Sequence, residues 1–230
     1  MKKVLITGAA HGLGLALAHS FKDDELILID KDELALQAVN LDAKKYVCDL
    51  ANVDEVSMLL EKLNEEISDL DVLINNAGEW ISGDLSKMDQ EGFSHMNTLE
   101  NIHHVLNTNV FGSIAMIRGL YQKLENGLII NINSQSGVHV ETPFPIYNTT
   151  KQAMKAFRFA IEDDLQNMKI KITDIYPGLI NTSFYKHAKS FMPDEVLETG
   201  LKVESIVDAV HFVVNQKEHV TIPSMEIKSF

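Results

Sequence analysis

Short apolar runs alternate with longer amphipathic stretches along this chain, and nothing else in it limits the fold so tightly. Val4–Ile6, Leu26–Ile29, Lys45–Val47, Val72–Ile74, Leu128–Ile132, Ile170–Tyr176 and Val220–Ile222 read as strands. Helix-period stretches lie between them, near 12–21, 32–40, 52–67, 98–124, 146–167 and 203–216. Strand, helix, strand, repeated, predicts parallel strands joined by right-handed crossovers. Leu26-Ile27-Leu28-Ile29 is apolar without alternation, as expected for a central strand covered on both sides. The last helical stretch, with Ile206, Val207, Val210, Phe212 and Val213, reads as amphipathic, with Ser205 as a candidate cap. The expected fold is α/β: a doubly wound, mostly parallel seven-stranded sheet with helices on both faces. With no repeat or low-complexity linker, residues 1–230 are expected to form one domain.

Two stretches break the rhythm, 79–97 and 179–202, and both follow strand ends on the same edge of the expected sheet. Ligands of open α/β sheets bind outside the carboxyl ends of the strands. These loops are therefore candidate walls of a substrate pocket; the alternative is plain surface insertion.

The first strand ends in Thr7-Gly8-Ala9-Ala10-His11-Gly12-Leu13-Gly14, and a helix opens there. A tight glycine turn lets backbone approach a pyrophosphate, and a helix N-terminus offers unpaired N–H groups and a favourable dipole. The pattern points to a Rossmann-type dinucleotide site; without Gly-Lys-Ser/Thr it does not fit a nucleotide triphosphate loop. Asp30 ends the second strand, where a carboxylate can accept from adenosine ribose hydroxyls and repels a 2′-phosphate. Lys31 follows and can partly offset that repulsion. NAD(H) is the favoured cofactor and NADP(H) the alternative; Asp30 as a mere helix cap fits either.

Charge and cysteine content narrow the partners. The net charge is −13 and the only arginines are Arg118 and Arg158. That argues against a duplex nucleic-acid partner and against docking on an anionic membrane. No stretch approaches the roughly 20 apolar residues of a span, and the apolar N-terminal run is too short for a signal-peptide core. Cys48 is the single cysteine, so a reducing, cytoplasmic setting is expected, with Cys48 a buried small residue. His103 and His104 are adjacent, and no histidine–carboxylate spacing suggests a metal site; His139 is a candidate pocket residue.

Together these motifs resemble the short-chain dehydrogenase/reductase family, from Lys3 to about Thr182. Thr7-Gly8-x-x-x-Gly12-x-Gly14 is similar to its cofactor turn. Asp49 matches its adenine-contacting acid, and Asn75-Asn76-Ala77-Gly78 its Asn-Asn-Ala-Gly segment. Asn109-Val110-Phe111-Gly112 resembles the segment of its catalytic asparagine, and Asn131-Ile132-Asn133-Ser134 the strand end of its serine. Pro177-Gly178-Leu179-Ile180-Asn181-Thr182 is similar to the segment that holds the nicotinamide. The resemblance implies a catalytic set of Asn109, Ser134, Tyr147 and Lys151. It implies cofactor contacts at Gly8, His11, Gly12, Leu13, Gly14, Asp30, Asp49, Leu50, Asn76, Ala77, Gly78, Tyr147, Lys151, Pro177, Gly178, Ile180 and Thr182.

Tyr-x-x-x-Lys occurs twice, at Tyr147/Lys151 and at Tyr185/Lys189. Only Tyr147 has a serine, Ser134, thirteen residues before it and lies between the serine strand and the Pro-Gly turn. Tyr185 belongs to a loop, where it can touch substrate. A free tyrosine has a pKa of about 10. Lys151, one helical turn away, can stabilise its anion and bring it toward working pH. The family implies that Lys151 also binds the nicotinamide ribose, that Ser134 fixes the substrate oxygen, and that Asn109 holds a relay water.

The expected activity is NAD(P)(H)-dependent interconversion of a small-molecule alcohol and carbonyl. A non-catalytic dinucleotide sensor or scaffold is the alternative; a sugar-nucleotide epimerase is disfavoured without a sizeable C-terminal substrate domain. Trp80, Phe144, Phe184, Phe191 and Met192 suggest an apolar substrate pocket. The Val220–Ile227 ending lacks the family's Asp-Gly-Gly, which puts a tetramer in doubt. A homodimer through 98–124 and 146–167 is expected.

Overall fold

The computed structural model describes residues 1–81, 98–140, 144–187 and 193–230. Seven parallel strands form one sheet: β1 (Lys3–Thr7), β2 (Glu25–Asp30), β3 (Ala43–Val47), β4 (Val72–Asn75), β5 (Leu128–Ile132), β6 (Lys171–Pro177) and β7 (Ser224–Ile227). Their order is β3-β2-β1-β4-β5-β6-β7. Winding reverses between β1 and β4, which opens a crevice at their carboxyl ends.

Unbroken apolar strands require cover on both faces, and they have it. Val4, Ile6, Leu26 and Leu28 pack beneath α1 (Gly12–Ser20) and α9 (Val203–Val214). The intervening residues Leu5, Ile27 and Ile29 face the other way, toward α3 (Val53–Glu66), α5 (Ser113–Leu120) and α6 (Pro145–Asn167). Alternate side chains of one strand thus enter two separate apolar layers. A polar substitution at Val4–Ile6 or Leu26–Ile29 therefore damages one layer or the other.

Four expectations need correction. The last strand is Ser224–Ile227, not Val220–Ile222. Pro223 lacks an N–H, so the ladder begins after it; Thr173 Oγ1 and Asp174 N instead donate to the carbonyls of Ile222 and Pro223. The stretch 98–124 is not one helix. α4 (Leu99–Leu106) passes into a π-helical turn, Asn107–Gly112, before α5 and a closing 3-10 turn, Tyr121–Lys123. Ser205 lies inside α9, whose N-cap is Lys202 without a side-chain cap. The second helix, α2 (Glu33–Ala38), is shorter than 32–40 and is capped by Asp32, which accepts from Ala35 N.

The short helices α7 (Phe184–His187) and α8 (Asp194–Glu198) follow β6. They lie within the expected loop 179–202. Residues 82–97 of the other loop lie outside the described residues, as do Lys189, Phe191 and Met192. Among the described residues no helix is long and apolar enough to cross a membrane.

Candidate active site

At the crevice the backbone must turn without side chains. Gly8 has φ +65° and Gly12 φ +48°. Gly14 needs space rather than a special φ: a Cβ there would lie 1.9 Å from Gly8 O and 2.6 Å from Asn76 Nδ2. Asn76 fixes this turn from β4, donating to Thr7 O (2.9 Å) and Gly8 O (3.1 Å). Thr7 Oγ1 in return accepts from Asn76 N and Ala77 N. The helix that starts here has no side-chain capping bond from His11 and no acid in its first turn. Its N-terminus is therefore suited to an anion.

The turn floors one end of a cavity of about 580 Å³. All the residues expected to contact a cofactor line it, and so does Ser134. Asp30 sits at one end, 9 % exposed, its two oxygens accepting from Ala10 N (2.9 Å) and Asp32 N (3.0 Å). Each oxygen keeps a further lone pair for a ligand hydroxyl. Asp49 anchors the next wall, accepting from Ala51 N.

Tyr147 and Lys151 stand at the other end, one turn apart on α6 and both largely buried. Lys151 Nζ is 5.6 Å from the Tyr147 ring centroid and donates to Ile132 O at 3.2 Å. Burial lowers its pKa to about 8, and the Asp174 carboxylate pulls the other way. Ser134 lies two residues beyond β5 and caps the 3-10 turn Gln135–Gly137, its hydroxyl oxygen accepting from Ser136 N.

Asn109 does not line this cavity. It is buried in the π turn, its carbonyl accepting from Glu79 N (2.7 Å), its amide donating to Glu79 O (2.8 Å) and Thr150 Oγ1 (3.1 Å). Both amide hydrogens are thus used within the protein. Asn109 and Lys151 do meet at a second, polar cavity of about 10 Å³, which Asn75, Asn131 and Asn133 also line. That is close to the space of one water.

The aromatic wall draws on both loops and on Phe144 at the start of α6. The Trp80 ring lies 5.1 Å from Phe144 and 5.1 Å from Tyr185, and all three face the main cavity. The second Tyr-x-x-x-Lys tyrosine therefore belongs to the pocket wall. Cys48 is buried with its thiol pushed up to about 12, chiefly by burial, which makes it a poor nucleophile. His139 is not a pocket residue: it is exposed, and its Nε2 lies 3.5 Å from Glu226.

Two features escaped the sequence reading. Glu79 contacts both Lys31 and His104 from the end of β4. Asp174 is fully buried behind the site, bonded to Asn131 (2.9 Å) and Tyr176 (2.7 Å), and burial raises its pKa. A carboxylate in the apolar run Ile-Thr-Asp-Ile was the available signal for the second.

The short chain dehydrogenase family model matches residues 2–192, most of the chain. The chain belongs to the short-chain dehydrogenase family. An uncharacterized oxidoreductase of Staphylococcus saprophyticus is 26% identical to this short-chain dehydrogenase, over 99% of the chain and 97% of the relative. A serine dehydrogenase solved with NADP+ is 25% identical with TM-score 0.82, covering 98% of this chain and 94% of that one. A 4-hydroxyisoleucine dehydrogenase solved with NADH, 21% identical with TM-score 0.84, matches in fold over 100% of this chain and 98% of its own.

Proposed function

We propose that this short-chain dehydrogenase interconverts an alcohol and a carbonyl with NAD(P)(H), using Tyr147 as general acid/base. One observation carries the reading: Lys151 Nζ lies 5.6 Å from the Tyr147 ring, at the far end of the cavity that starts at the glycine turn. The residues fit a dinucleotide, because Gly8 and Gly14 leave no room for a Cβ in the turn and the α1 N-terminus lacks a capping side chain. Gly8, His11, Gly12, Leu13 and Gly14 would hold the pyrophosphate, and Asp30 the adenosine ribose. Asp49, Leu50, Asn76, Ala77 and Gly78 would line the adenine and its ribose. Pro177, Gly178, Ile180 and Thr182 would hold the nicotinamide, with Tyr147 and Lys151 at its ribose. When bound, the nicotinamide supplies or accepts the hydride.

The chain's own residues do the rest. Ser134 accepts from Ser136 N, so its hydroxyl proton is available to point at a substrate oxygen. Tyr147 gives its proton to that oxygen in reduction and takes it back in oxidation. Lys151, with a pKa of about 8, is still protonated at neutral pH, and its charge favours the ionised phenol. Asn109 contributes through its position beside Lys151 at the small polar cavity, where a water would carry the proton onward. Its side chain, fully used on Glu79 and Thr150, holds the wall in place.

NAD(H) is the favoured cofactor, because Asp30 presents a carboxylate where NADP(H) carries a phosphate. The aromatic wall favours an apolar carbonyl substrate. We further propose one cytoplasmic domain, with pocket loops at 79–97 and 179–202, assembled as a homodimer. Leu99, Leu106 and Phe159 stay exposed on the helices expected to pair. The test is a panel of ketones, aldehydes and quinones with NADH and NADPH, followed by loss of reduced-nicotinamide absorbance. Turnover of at least one carbonyl is expected; tight cofactor binding without turnover across the panel would favour a sensor.

A further inference from the structure

Lys31 and Glu79 stand at the carboxyl ends of β2 and β4 and meet across the mouth of the cavity between them. Lys31 Nζ donates to Glu79 Oε1, and His104 Nε2 approaches the same oxygen at 3.1 Å. His104 Nε2 also lies 3.5 Å from Lys31 Nζ. Among the described residues lining the cavity the only lysines are Lys31 and Lys151, and there is no arginine. Lys151 is at the Tyr147 end. Lys31 is therefore the one lysine at the Asp30 end, and its ammonium is already engaged by a carboxylate.

We propose that Glu79 sets cofactor preference by sequestering Lys31, the cation that would otherwise neutralise a 2′-phosphate. This rests on the reading that the adenosine end of NAD(P)(H) lies at Asp30. The geometry suits the role. The Glu79 backbone is pinned by Asn109 on both its N–H and its carbonyl, so its carboxylate is held at the cavity mouth. Lys31 keeps half its side chain exposed and is on a long, flexible stem, so it can reach either anion. Two anions then compete for one cation. With NADH the pair persists undisturbed. With NADPH either the phosphate goes unneutralised beside Asp30, or Lys31 leaves Glu79 and a carboxylate is left beside a phosphate. Asp30 alone repels a 2′-phosphate, and Glu79 adds to that by removing the compensating charge.

The test is a double-mutant cycle on equilibrium binding of NADH and NADPH, with wild type, Glu79→Gln, Lys31→Ala and the double variant. Neither substitution touches the backbone bonds to Asn109. Glu79→Gln is expected to tighten NADPH roughly tenfold, with NADH changed less than about twofold, as one partly exposed cation is freed to meet a phosphate. In the Lys31→Ala background the same substitution is expected to leave NADPH binding unchanged. An unaltered NADPH-to-NADH ratio in Glu79→Gln would overturn the proposal. So would an equal gain in the Lys31→Ala background, which would indicate direct repulsion by Glu79 instead. A wild type that prefers NADPH would contradict the favoured cofactor, while the cycle would still decide the role of Glu79.

Discussion

Replacing Lys151 with methionine should make the protein more stable at neutral pH, although it removes a group placed in the site. Lys151 is 7 % exposed, and its pKa falls from 10.5 to about 8. At about 1.4 kcal/mol per pH unit, that fall is a penalty of about 3 kcal/mol for keeping the ammonium charged in the folded state. Methionine has a similar length and no charge to desolvate. The substitution loses the bond to Ile132 O, a cost of about 1 kcal/mol. The net gain is about 1–2 kcal/mol, or roughly 2–8 °C in melting temperature for a chain of this size. The pH dependence follows from the sign. Between the folded pKa near 8 and the unfolded value of 10.5, the unfolded wild type binds more protons. Wild-type stability therefore rises with pH through that window, whereas the methionine does not titrate. The advantage of Lys151→Met should be full below pH 8 and should close toward 10.5. Urea denaturation across this range is the assay. A variant less stable than wild type at neutral pH, or a gap that stays flat with pH, would refute the reasoning.

Three more outcomes are expected. Gly14→Ala should cost about 2–3 kcal/mol, because its Cβ meets backbone and no rotamer relieves the overlap. Gly12→Ala meets only Thr182 at 3.4 Å and should cost about 1 kcal/mol for its positive φ; equal melting temperatures would contradict this. Asp30→Ala should weaken NADH binding about tenfold and narrow the gap to NADPH, measured by equilibrium titration; an unchanged ratio would count against Asp30. Light scattering at micromolar concentration should give twice the 25.7 kDa of one chain, and a monomer mass would exclude the proposed dimer.

The fold was legible because β1, β2, β4 and β5 are buried on both faces, which leaves continuous apolar runs in the sequence. The seventh strand was misplaced for the opposite reason. At the sheet edge Ser224–Ile227 buries only Met225 and Ile227 in part, and the more apolar Val220–Ile222 stops at a proline. The π turn at Asn107–Gly112 left no mark in the hydrophobic period, since one extra residue in a turn is invisible to a count of apolar positions. The glycine turn and the Tyr147 helix were readable as local motifs. Lys31 and Glu79 were not readable as a pair, because 48 residues separate them and only the switch in strand order brings them together.

Catalysis by Tyr147 is tested most directly by Tyr147→Phe, which removes one hydroxyl and keeps the ring in place. With a substrate from the carbonyl panel, turnover should fall about 10²–10⁴-fold, the usual contribution of a general acid/base. The dissociation constant for the reduced cofactor should stay within about twofold, because the cradle at Gly8–Gly14 is untouched. Wild-type turnover in Tyr147→Phe, with cofactor binding retained, would contradict the account.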